Sequence, residues 1–123
     1  MTEVDDQLKL LEESSRKLNQ ESNSLNSLID KVEKRLGVAN PGIPVQVRAY
    51  GSPLAFDKFG DEWRLLAVVE NENDEEEYVP LSNTSRAMRI EALKSLPFLI
   101  RELDNKVKDA LSTIEEAKSQ YDK

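Results

Sequence analysis

The sequence predicts an α+β fold: a small antiparallel β-meander of three or four strands inserted between two long helices that form an antiparallel coiled-coil hairpin. Three observations predict it. A heptad stripe runs unbroken from Val4 to Leu36, and a second runs from Leu93 to Tyr121. Between them lie short alternating apolar segments separated by Gly, Pro and Asp. The 123 residues suit a single elongated domain. Its segments are a helix over 3–36, a β-meander over 43–81 carrying an acidic loop at 70–77, and a helix over 83–122 kinked near Pro97.

The first helix contains neither Gly nor Pro between Glu3 and Leu36. Val4, Leu8, Leu11, Ser15, Leu18, Ser22, Leu25, Ile29, Val32 and Leu36 follow a strict 4-3 spacing. Glu3, Asp5 and Asp6 suit the positive end of the helix dipole, and Lys34 and Arg35 the negative end. Gly37 is the expected C-cap.

Val45, Val47 and Ala49 alternate with polar residues, which reads as a strand ended by the turn Gly51-Ser52-Pro53. Leu54 to Phe59 is the second strand. Gly60-Asp61 supplies hairpin chemistry. Trp63 to Val69 is apolar at almost every position, as in a central strand covered on both faces. Tyr78 and Val79 form a short last strand that Pro80 ends or confines to the sheet edge. Met88, Ile90, Phe98 and Leu99 lie off the heptad stripe and are expected to pack on the sheet.

The second helix opens in Ser82-Asn83-Thr84-Ser85, a cluster of N-cap residues. Pro97 predicts a kink at 93–97 or a fresh start capped by Ser95. In an antiparallel pair, facing residue numbers have a constant sum. A sum of 132 sets Val32 against Ile100, Ile29 against Leu103, Leu25 against Val107, Ser22 against Ala110, Leu18 against Ile114, Ser15 against Ala117 and Leu11 against Tyr121. A heptad stripe does not name its partner, so self-association as a homodimer through the helical stripes is also open.

Composition excludes several chemistries. The chain has no cysteine and no histidine, so it lacks a thiolate nucleophile, an imidazole base and the usual zinc ligands. Ser14 and Lys17 have a Ser-x-x-Lys spacing but lie mid-helix without companion motifs. The glycines are isolated turn residues rather than a phosphate loop. No catalytic, cofactor-binding or metal-binding residues are assigned, and a non-enzymatic function is expected. No apolar run approaches a membrane span, and the acidic N-terminus lacks a secretory pattern, which points to the cytoplasm.

The net charge of −7 is unevenly placed. Residues 1–36 carry eight acids and six bases, residues 82–123 seven acids and eight bases, and residues 37–81 nine acids and three bases. Six of those nine are Glu70, Glu72, Asp74, Glu75, Glu76 and Glu77, with no base among them. Asn71, Asn73, Asp74 and Glu75 lack the Gly and distal Glu of a calcium loop. Such a segment steers basic partners and disfavours direct nucleic-acid binding. Phe56 and Phe59 fall on opposite faces of one strand, so one of them is a candidate contact beside the acidic loop. The candidate partner-binding residues are therefore Glu70, Glu72, Asp74, Glu75, Glu76, Glu77, Phe56 and Phe59.

Leu36-Gly37-Val38, the hairpin from Lys58 to Val69 with its Trp-x-Leu-Leu-Ala-Val ending, and Pro80-Leu81-Ser82 through Leu96-Pro97-Phe98-Leu99-Ile100 resemble a group of uncharacterised bacterial helix–sheet–helix proteins. The resemblance implies the architecture and no activity. A looser likeness of shape is to prefoldin subunits, in which two coiled-coil helices are joined through β-hairpins. The insert here is longer, and the Trp63 strand differs from theirs. The function expected is a protein-binding adaptor or regulator that presents a β head on a coiled-coil stalk. Alternatives are an acidic, nucleic-acid-mimicking inhibitor of a basic cleft and a prefoldin-like chaperone subunit.

Overall fold

A computed structural model describes residues 2–48 and 53–121. It shows the α+β class: a long N-terminal helix, a four-stranded antiparallel sheet, then a helical C-terminal segment. The expected strand residues Ala49 and Tyr50, and the turn at Gly51-Ser52, lie outside the described residues.

Helix α1 spans Thr2–Ala39. It passes through Gly37 and ends two residues beyond the predicted cap. The stop is set by Asn40-Pro41, because the residue before a proline is pushed out of the helical region. Asn40 closes the end. Its backbone N–H donates to Leu36 O, and its side chain both accepts from Ile43 N–H and donates to Ile43 O.

The strands are β1 (Val45–Val47), β2 (Leu54–Phe59), β3 (Glu62–Glu70) and β4 (Glu76–Pro80), in sheet order β1-β2-β3-β4. Each pairs antiparallel with its neighbour, so the predicted meander is present with four strands. The β2–β3 turn places Gly60 at φ 66, the left-handed region that its first central position requires for a type II′ hairpin. Residues Leu65 to Val68 of β3 are buried on both faces, as expected of a central strand.

The register sorts the sheet into two faces. Val45, Leu54, Phe56, Leu65 and Ala67 share one face and join the main core with Ile29 and Leu36 of α1 and with Leu99 and Leu103. Leu81, in the short 3-10 turn after β4, and Ala92 complete this core. Ala55, Leu66 and Val68 are buried on the opposite face.

The C-terminal helical segment is broken as predicted. Helix α2 (Arg86–Lys94) is capped by Ser85, whose side chain accepts from Met88 N–H. Helix α3 (Leu96–Tyr121) starts after the buried Ser95, with Pro97 in its first turn, where the missing N–H costs no helical bond. Leu99 is buried and Met88 packs against the core. Ile90 and Phe98 remain about two-fifths exposed instead of lying on the sheet, and Phe98 carries the Arg101 guanidinium over its ring.

The two heptad stripes meet only in part. Leu25, Ile29, Val32 and Leu36 of α1 and Leu96, Leu103 and Val107 of α3 belong to one core, and Val32 and Leu36 share a surface hollow with Ile100. Outside this region the layers do not close within the chain. Ser22 faces Arg86 and Ile90 of α2 rather than Ala110, and Ser15 and Ala117 are exposed. Both helices lie on the same face of the sheet, but α1 packs along β3 while α3 packs on β1 and β2, so each is seated on different strands.

Candidate interaction surfaces

The acidic segment is the turn between β3 and β4. Asn71 organises it. Its backbone N–H donates to Glu75 O and its carbonyl accepts from Asp74 N–H. Its side-chain oxygen accepts from the N–H groups of Asn73 and Glu75. Asp74 sits at φ 59, a left-handed position that Asp tolerates better than most residues. The segment is thus a defined tight hairpin. The Asn71 side-chain oxygen is spent on backbone donors, and no group of three acidic residues among those described is arranged to hold a metal ion.

Strand register divides the carboxylates. Glu70 pairs with Glu76 and projects with it to one face, while Glu77 lies beside Val69 on the other. Glu76 is held by Arg48 at 2.6 Å. Glu72, Asp74 and Glu75 stand exposed at the tip. The charge is therefore presented at one end of the sheet and splayed to both sides.

The face of Ala55, Leu66 and Val68 is bridged by side chains from the two edge strands. Tyr78 Oη donates to Gln46 Oε1 at 2.8 Å, and Arg48 reaches Glu76. Strands one and four of a flat sheet stand ~14 Å apart, three spacings of roughly 4.8 Å. Side chains that meet across that span must lie flat over the central strands.

The two phenylalanines part company. Phe56 is fully buried, with its ring 5.7 Å from that of Trp63, and is removed from the candidate surface by the helices packed on its face. Phe59 is 44% exposed, but it pairs with Glu62 at the end of β3 opposite the acidic hairpin. Eight residue steps of strand separate Glu62 from Glu70, about 26 Å. Phe59 and the acidic tip do not form one patch.

Runs of exposed apolar residues lie elsewhere. On α1, Val4, Leu8, Leu11 and Leu18 are 40–60% exposed, and on α3 Leu111, Ile114 and Tyr121 are 53–89% exposed. Ser14 and Lys17 are exposed on this same outer half of α1.

Sequence reasoning missed the junction between α1 and β3. Glu33 accepts from Arg64 Nε at 3.2 Å and from Leu65 N–H at 2.9 Å, while Arg64 also donates to Ser82 Oγ. Asp30, Lys34, Glu62 and Trp63 join this pair around an open hollow of about 390 Å³. Arg64 pairs with Glu33 and Lys34 with Asp30, so it reads as a structural joint. The only sequence signal was an acid adjacent to the heptad stripe and a base inside an apolar strand.

Comparison with family models, with curated proteins and with solved structures finds no match to this chain. No helix among the described residues is long and apolar enough to cross a membrane.

Proposed function

We propose that the protein is a non-enzymatic binding module, an adaptor or regulator that engages another protein through a coiled-coil stalk and presents the sheet as a head. The observation that carries this reading is the run of exposed heptad residues on the outer halves of α1 and α3. A soluble monomer leaves single apolar residues exposed, whereas a contiguous apolar stripe at heptad spacing marks a surface that another helix covers. The splayed carboxylates at the β3–β4 tip add a second contact suited to a basic partner, chiefly by steering encounter.

The test is crosslinked capture by the full chain and two variants. Leu11→Glu combined with Leu18→Glu alters the stalk, and neutralisation of Glu72, Asp74 and Glu75 alters the head. Loss of captured proteins with the stalk variant and slower capture with the head variant are expected. Equal yields of the same proteins from all three chains would overturn the proposal.

A further inference from the structure

We infer that the outer stalk is covered by a second copy of this chain, with the outer half of α1 in one protomer packed antiparallel against the outer half of α3 in its partner. This rests on the binding-module reading and names the partner of the stalk.

The first argument is register. The sum of 132 that sets Val32 against Ile100, two residues that line one surface hollow, continues outward to Leu18 against Ile114 and Leu11 against Tyr121. All four of these outer residues are at least 45% exposed in the single chain. The sequence therefore carries complementary layers that are left open in the single chain. A second copy supplies the missing helix, and two-fold symmetry forms the same contact twice.

Charge supplies the second, independent argument. The positions flanking the α1 stripe between Val4 and Ser22 include Asp5, Glu12 and Glu21 and no base. Those flanking the α3 stripe from Lys106 onward include Lys106 and Lys118 and no acid. Flanking charges choose partner and orientation in coiled coils. In the antiparallel register, Glu12 lies beside Lys118 of the other helix. Pairing α1 in parallel with another α1 would set acidic flank on acidic flank and stack serine on serine at positions 15 and 22, and an antiparallel α1 pair would still set acidic flank on acidic flank. The α3 helix is the better match on both counts.

Sedimentation and light scattering of the full chain are expected to give a dimer at micromolar concentration. Leu18→Glu or Ile114→Glu should yield a monomer with unchanged helical content, since both residues lie outside the core. Glu12→Lys and Lys118→Glu should each weaken the dimer roughly tenfold, the two symmetric contacts both becoming repulsive. Mixing these two variants restores both contacts in the mixed dimer, so differently tagged chains should associate preferentially with each other. A wild-type monomer, or a dimer indifferent to these four substitutions and to mixing, would overturn the inference. A monomer that still captures other proteins through the stalk leaves the binding-module reading standing. A dimer whose captured proteins are unaffected by the stalk variant removes that reading alone.

Discussion

The carboxylate of Glu33 accepts the backbone N–H of Leu65 across 32 residues of sequence. Strand β4 pairs with β3 only from Leu66 onward, so the β3 edge over Glu62 to Leu65 has no strand beside it. Glu33 fills that gap with a side-chain acceptor and holds Arg64 with the same group. An unmet donor here would carry a desolvation cost. The Glu33 side chain is 11% exposed and that of Arg64 28%. Glu33→Ala is expected to lower stability by about 2–3 kcal/mol, the range for charged hydrogen bonds. Glu33→Gln keeps an acceptor and should cost about 1 kcal/mol. Urea unfolding at constant m-value reads both.

The contrast between Phe56 and Phe59 is testable in the same way. Phe56→Ala opens a cavity in the core beside Trp63 and should cost about 3–5 kcal/mol. Phe59→Ala, at an exposed hairpin end, should fall within about 1 kcal/mol. Similar losses for both would mean that the face assignment is wrong.

Asp74 occupies a left-handed position with an organised hairpin around it. Asp74→Gly relieves backbone strain and is expected to be neutral or to stabilise by up to about 1 kcal/mol. Asp74→Val should destabilise by roughly 1–2 kcal/mol, because a β-branched side chain resists positive φ. Thermal melts of the two variants should shift in opposite directions or differ clearly in size.

Ser85 caps α2 through Met88 N–H. Ser85→Ala should cost about 1 kcal/mol, and Ser85→Asp should retain most of the stability. Loss of circular dichroism confined to one short helix, without a change in the core transition, would be the accompanying signature.

Local signals carried the elements well. The heptad spacing, the Gly60-Asp61 turn, the continuous apolar run of β3 and the Ser85 cap each reflect chemistry within a few residues, and each appears where the sequence places it. The failures are non-local. Nothing near Ser22 says that α2 rather than Ala110 will face it, because that depends on α1 and α3 settling on different strands of one sheet face. The Gly37 cap was outcompeted by Asn40-Pro41, whose steric restriction is stronger than a glycine preference. The Glu33–Arg64 joint and the Tyr78–Gln46 bridge link residues 31 and 32 apart and leave no periodic trace. Among the candidate contacts, the tip carboxylates were legible as charge, whereas the burial of Phe56 followed only from which face the helices cover.

The position of β4 at the outer edge of the sheet gives its acids a further consequence. An open edge offers unpaired backbone groups to any extended chain, including another copy of this protein. Here the edge is five residues long, ends in Pro80 and carries Glu76 and Glu77. Two such edges brought together would crowd four carboxylates onto one short ladder and lose a hydrogen bond at each proline. The same charges thus guard the fold against edge-to-edge sheet growth.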